Sequence, residues 1–277
     1  MVAPMMPSRL FLASALAILS LHPVAAAQPG FGPWADGEEA RVRLVSAGVS
    51  ADGRLSAGIE IMLEPGWRTY WRSPGAAGIP PAIDLSGSAN LGAVEVSFPL
   101  PERHDDGYGV SNVYEGGVLL PFTAEVPDPA APVELRLSLD LGACEEVCIP
   151  EHVEATLTIP PGVTDRVAAA TLAGARAQVP GPPQPGVLAV ESARRNGGTD
   201  KRPVFDIVVT APPDAEMFVE GPPDWFPGVP DRIGGAGQPT YRVAFDRIGA
   251  KTPMEGVTLR VTLVADGKAI EQVVAAD

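Results

Sequence analysis

The 277-residue chain has two cysteines, four positions apart, within Leu139-Asp-Leu-Gly-Ala-Cys-Glu-Glu-Val-Cys-Ile-Pro150. Cys144 and Cys148 are the side chains best equipped for chemistry. A thiolate is a nucleophile, and two nearby thiols can cycle between dithiol and disulfide. Their spacing sets a condition. In an extended strand, Cα atoms four positions apart lie about 13 Å apart, whereas a disulfide needs about 4.4–6.8 Å. The chain must turn between them, and a helical turn would bring them to about 6 Å, with Gly142 and Pro150 as punctuation. As a staple such a bond is weak: about 2 kcal/mol for a five-residue loop, against more than about 4 kcal/mol for a loop near 100 residues. This favours a pair that cycles over a local structural clamp. Glu145, Glu146 and Glu151 crowd the pair, with His152 the nearest possible cation. Carboxylates disfavour a thiolate, so the pair is a poor spontaneous nucleophile, suited to one specific partner.

The elements that must position the pair read as strands. Val133, Leu135, Leu137, Leu139 and Leu141 alternate with polar or small residues up to the first cysteine, the period of a half-buried strand. Val153 to Ile159 follows the second. Further strand patterns are Arg41 to Val49, Leu55 to Leu63, Trp67 to Trp71, Ala93 to Phe98 and Val118 to Val126, with Ala51-Asp-Gly53 as a hairpin signal. Seven or eight short strands over about 120 residues suggest an immunoglobulin-type sandwich. Residues 28–40 read as a flexible lead-in. Thr164 to Val179 has helical spacing, with Thr164 or Asp165 as a cap, and Pro180-Gly-Pro-Pro-Gln-Pro-Gly186 reads as a stiff linker. Val187 to Ala193, Val204 to Ala211, Met217 to Val219, Thr240 to Phe245, Val257 to Ala265 and Ala269 to Val274 repeat the β character, the last two joined at Asp266-Gly267. The expected fold is all-β: two immunoglobulin-like sandwiches, residues 28–162 and 187–277, joined by a short helix and Pro-rich linker over 163–186.

Residues 1–27 carry the features of an export signal: Arg9, an apolar run from Leu10 to Leu21, and Ala25-Ala-Ala27 before a cleavage point. No later window is apolar enough to span a bilayer, so the exported chain is expected not to be membrane-spanning. An extracytoplasmic compartment lets disulfides persist. The formal charge of −14, becoming −15 once Arg9 leaves, argues against nucleic acid or an anionic membrane surface as partner.

Two further stretches could surround the cysteines. Gly66-Trp-Arg-Thr-Tyr-Trp-Arg-Ser-Pro-Gly75 reads as core tryptophans, Trp67 and Trp71, beside solvated Arg68 and Arg72, with Tyr70 available to face outward. Pro99 to Asn112 reads as a long polar loop bearing His104, Asp105, Asp106 and Tyr108. Together with Tyr114-Glu-Gly116 and the cysteine stretch, these motifs occur in an order that resembles the amino-terminal periplasmic domain of the DsbD thiol:disulfide interchange proteins and the related ScsB proteins, over about residues 35 to 160. The resemblance implies an immunoglobulin-like domain whose cysteine pair, here Cys144 and Cys148, takes electrons from a membrane-embedded donor and passes them to periplasmic thiol oxidoreductases. It places Asp105 and Asp106 at the acidic neighbours of the pair, Tyr108 at an aromatic cap, and Tyr70 in the stretch lining the site. The Cys-x-x-x-Cys spacing and Gly107 depart from the best-known relative. The donor must be a separate membrane protein, and the expected site uses neither cofactor nor metal.

Two other classes compete. A non-catalytic binding module would use the disulfide as a clamp. A copper-handling protein would use Cys144, Cys148, His152 and methionines such as Met217 and Met254 as soft ligands. A Gly-x-Ser-x-Gly elbow, a phosphate loop, a dinucleotide fingerprint and a thioredoxin-type Cys-x-x-Cys are all missing from the sequence. His104 with Asp105 and Asp106 reads as solvated loop polarity.

Overall fold

The structure is a computed structural model that describes residues 29–75, 78–107, 109–234 and 238–277. The export-signal segment and Tyr108 lie outside the described residues. In chain order the strands are β1 (Ala35–Asp36), β2 (Ala40–Val49), β3 (Arg54–Leu63), β4 (Arg68–Gly75), β5 (Ala82–Asp84), β6 (Val94–Val96), β7 (Glu102–Asp105), β8 (Val110–Glu115), β9 (Gly117–Glu125), β10 (Val133–Cys144) and β11 (Cys148–Ile159). Helix α1 (Arg166–Arg176) follows, then β12 (Ala189–Thr199), β13 (Arg202–Thr210), β14 (Glu216–Glu220), β15 (Phe226–Pro227), β16 (Asp231–Ile233), β17 (Thr240–Asp246), β18 (Thr258–Ala265) and β19 (Lys268–Ala275). The fold is all-β with one helix.

Two sheets form from the first eleven strands. One runs β1-β2-β3-β9-β6 and the other β11-β10-β4-β8-β7, with β5 paired to β10. Alternation drives them together. Val133, Leu135, Leu137, Leu139 and Leu141 of β10 meet Leu44, Ile59, Ile61, Leu120 and Phe122 of the facing sheet in one buried core with Trp71. Helix α1 covers the outer face of the first sheet, setting Ala168 and Leu172 on Val45. Asp165 caps it, accepting from the amides of Val167 (2.8 Å) and Ala168 (3.0 Å), and also from Gly30.

The lead-in before β2 is packed, contrary to the flexible segment its composition suggests. Phe31 bridges to Val45 and β1 pairs with β2. The amides of Glu38 and Glu39 donate to the buried Glu151 carboxylate. Glu151 is thus bonded to the lead-in backbone, away from the crowd of charges expected at the cysteines.

A second core lies between the sheet β12-β13-β17-β15, with β16 on β17, and the sheet β14-β18-β19. Phe205, Trp225 and Phe245 pack there with ring centroids 5.7–6.4 Å apart. The Asp266-Gly267 turn has φ of 50° and 71°, the left-handed pair a two-residue hairpin requires. The Pro-rich stretch lies against β19, where Gly181 pairs in parallel with Ile270.

The two halves meet along β14. Its residues alternate: Met217 and Val219 enter the second core, while Glu216, Phe218 and Glu220 reach the first half. Phe218 packs edge-on to Trp71 at 5.8 Å. Arg72, expected to be solvated, is instead held in a cluster of four charges. It donates to Glu220 at 2.7 and 2.9 Å and to Glu271, and Glu271 also accepts from Arg260 at 2.5 Å. Burial opposes ionisation of Glu271, yet Arg72 and then Arg260 hold its pKa below the ordinary carboxylate value.

Removing Arg72 takes its partner from the partly buried Glu220 and leaves Glu271 with Arg260 alone. Arg72→Met should cost about 3 kcal/mol, the low end for breaking a buried pair, because side-chain exposures of 14–22% leave some access to water. Urea unfolding checks this. The Glu271 contribution is complete above its unfolded pKa and vanishes as pH falls through the lowered folded value, so the gap between wild type and variant should narrow on acidification.

Candidate functional site

The cysteines close a disulfide at the tip of the β10–β11 hairpin. The turn between them is a hairpin rather than the expected helical turn. All twelve residues of β10 pair in register with β11, ending in Cys144 opposite Cys148, with Cα atoms 4.1 Å apart. Strand register therefore achieves the approach that the sequence spacing demanded. Glu145, Glu146 and Val147 form the exposed connection, closed by the Glu145 amide donating to the Val147 carbonyl at 3.2 Å.

The two sulfurs occupy unlike surroundings. Cys144 is 3% exposed, packed with Tyr70, Val113 and Ile79, whereas Cys148 is exposed. The difference follows from topology: β10 is an inner strand flanked by β4 as well as β11, and β11 is the sheet edge. Cys144 faces Arg68 across the β10–β4 ladder.

Tyr70 stands at both sulfurs. Its hydroxyl oxygen lies 3.2 Å from Cys148 Sγ and 3.3 Å from Cys144 Sγ. A disulfide sulfur carries no proton, so the tyrosine O–H is the donor. Burial first, then the negative charge of Asp106, raises the Tyr70 pKa, with Arg68 opposing. The hydroxyl therefore stays protonated through the range where thiols titrate, near pH 8.5. Two glycines fix the ring. A Cβ on Gly142 would lie 3.2 Å from Tyr70 Cδ2 and 2.9 Å from Ile79 Cβ, and one on Gly78 would lie 2.6 Å from the ring.

The polar stretch expected to be a loop is largely two paired strands, β7 and β8. Arg103 faces Asn112 and Asp105 faces Val110. Tyr114 donates to the Pro99 carbonyl at 2.7 Å and anchors the entry to β7. At the hairpin tip, the Gly107 amide donates to Asp105 (2.9 Å) and the Gly109 amide to Asp106 (3.0 Å), with Gly107 at φ +83°.

The structure thus brings Cys144, Cys148 and Tyr70 into contact and sets the Asp106 charge close enough to act on Tyr70. Asp105 is bonded within its own turn. His152, expected as the nearest cation, is instead held by Asp140 at 2.7 Å. That hydrogen bond raises its pKa. Arg68 takes the place beside the pair, donating to the Glu145 carbonyl at 3.3 Å. Its position on β4, two residues before Tyr70, was visible in the sequence, but the β4–β10 pairing that delivers it was not. His104 lies 3.6 Å from Glu115. Met217 is buried in the second core, apart from the cysteines, and among the described residues no three His, Cys, Asp or Glu side chains are arranged to hold a metal.

Residues 38–160 match the family model described as thiol:disulfide interchange protein DsbD, N-terminal. Among solved structures, the chain is similar to the N-terminal periplasmic domain of ScsB from Proteus mirabilis. Sequence identity is 22% and the TM-score 0.68, over 90% of this chain and 98% of that one. At that identity the likeness is one of fold, and it extends across both halves of the chain. No curated protein matches by sequence.

The tight seat of Tyr70 gives a direct check. Gly142→Ala should push the ring off the sulfurs and destabilise the protein by about 1–3 kcal/mol, as overpacking does. Thermal unfolding reads the loss. Near-ultraviolet circular dichroism of the tyrosine band should change with it, and an unchanged spectrum at full stability would show that the ring is not held there.

Proposed function

We propose, from the match of residues 38–160 to the family model of DsbD N-terminal domains, that this chain is a periplasmic thiol-disulfide exchange protein. The observation that carries the proposal is the asymmetry of the pair: one sulfur open to a partner, the other enclosed beside a protonated tyrosine.

The exchange follows from that asymmetry. A partner thiolate attacks the exposed Cys148 Sγ, and the S–S bond breaks. Its electron pair leaves with Cys144 as a thiolate. The Tyr70 O–H donates to this sulfur and stabilises the developing charge. The partner is now joined to Cys148. Its second thiolate attacks the partner's own sulfur of the mixed disulfide, releasing Cys148, so the partner leaves oxidised and the chain holds two electrons. Toward an oxidised acceptor the order reverses: Cys148 attacks and Cys144 resolves. The Glu145, Glu146 and Asp106 charges disfavour free thiolates, restraining exchange with chance partners.

The donor in this reading is a separate membrane-embedded protein, and the acceptors are periplasmic thiol oxidoreductases. Residues 1–27 act as the export signal. No helix among the described residues is long and apolar enough to cross a membrane. The redox module is residues 28–162, an immunoglobulin-like sandwich, and the second is 187–277, with the helix and Pro-rich stretch between. The separate hydrophobic cores support that division.

Equilibration against a glutathione series, with free thiols counted by alkylation and mass, tests the proposal. A midpoint between about −120 and −270 mV is expected, the range of exchange proteins. A pair still oxidised below about −300 mV is a structural clamp, and the binding-module reading would replace this one. Cys144→Ser should trap partners on Cys148, while Cys148→Ser should trap few, because Cys144 is enclosed.

A further inference from the structure

We infer that the second half of the chain is a brace for the redox site, and that Arg103 is a positioning residue acting through it on Tyr70. The inference rests on the proposed exchange function for its purpose, and on contacts along β14 for its substance.

The site end of the β11-β10-β4-β8-β7 sheet is weakly tied within itself. Strands β4 and β8 pair at Arg68–Tyr70 with Glu115–Val113, but the ladder breaks between Tyr70 and Gly75. Across the gap the Asn112 side chain donates to the Ser73 carbonyl at 2.8 Å. Beyond it, β7 is an edge strand hydrogen-bonded to β8. Val113 of β8 packs directly on Tyr70 and Cys144, so a shift of β7 and β8 would move the wall that holds the tyrosine.

β14 spans this weak region. Arg103 of β7 lies 3.0 Å from Glu216, donates to the Met217 carbonyl, and stacks over the Phe218 ring at 4.6 Å. Phe218 in turn meets Trp71, the residue after Tyr70, and Glu220 grips Arg72. Three alternate residues of one strand therefore tie β7 to β4 beside the interruption in the β4–β8 ladder. Burial lowers the Arg103 pKa while Glu216 opposes that effect, so the guanidinium is partly enclosed at a cost its partners offset only in part. A helper that merely attached a second module would not need to grip both strands on either side of the break.

The test is the rate at which the Cys144–Cys148 disulfide is reduced. A phosphine reductant, tris(2-carboxyethyl)phosphine, and glutathione are used in parallel on the whole exported chain. Tyr70→Phe removes the hydroxyl directed at the leaving Cys144 and sets the floor. Arg103→Met and Glu216→Gln should each slow reduction toward that floor by at least about fivefold, the low end of coupling between distinct sites. In the Tyr70→Phe background neither should slow it further. Arg103→Lys, which keeps a cation for Glu216, should recover part of the rate. Arg242→Met, which breaks an ion pair with Asp206 within the second half, should change nothing.

An unchanged rate in both Arg103→Met and Glu216→Gln overturns the brace, as does an equal slowing with and without the Tyr70 hydroxyl. Equal slowing by Arg242→Met would assign the effect to general loosening and also overturn it. Failure of glutathione to reduce even the wild type would sink the exchange function alone, because the phosphine series still reads the brace.

Discussion

The register of β10 against β11 is the constraint on which the site depends. Side chains alternate faces along a strand, so a slip of one residue would turn every core leucine of β10 outward. The same register ends with Cys144 opposite Cys148. Core packing therefore enforces the approach of the sulfurs: Leu135, Leu137, Leu139 and Leu141 cannot stay buried unless the hairpin tip is where it is. A strain-prone local turn is unnecessary when twelve consecutive pairs fix the geometry.

Asymmetry between the sulfurs arises from the same sheet. An inner strand has neighbours on both edges and an outer strand on one, so the two ends of a hairpin at a sheet edge differ in exposure even when their residues are identical. Here Cys144 is enclosed by β4 and Cys148 is open. Tyr70 converts that difference into chemistry because its O–H reaches both atoms, held by close packing on Gly142 and Gly78. Larger residues there would occupy the space of the ring.

Charge works over a longer reach. The chain is acidic overall, and the Asp106 and glutamate charges at the hairpin tips face water. Where charge is enclosed it is paired instead: Arg72 with Glu220 and Glu271. These enclosed pairs lie between the halves, where partly desolvated ions fix geometry more than they add stability.

Much of the fold was legible locally. The alternation from Val133 to Leu141 marks a strand because the period of two is a property of the backbone, Asp266-Gly267 marks a hairpin because its φ values suit those residues, and Asp165 marks a helix start because its carboxylate reaches free amides. The lone cysteine pair, and the need for a turn between its members, could also be read directly. The strands β7 and β8 could not be foreseen, since Glu102, Arg103, His104 and Asp105 offer no apolar alternation and earn their pairing from neighbours elsewhere. Nor could the packed lead-in, which depends on Glu151 more than 110 positions away. Only the tertiary structure decided which cysteine is enclosed, that Tyr70 rather than a histidine meets the sulfurs, and that Arg72 finds partners 148 and 199 positions along the chain. Periodicity and turn chemistry act over a few residues, whereas enclosure and charge pairing depend on which strands become neighbours.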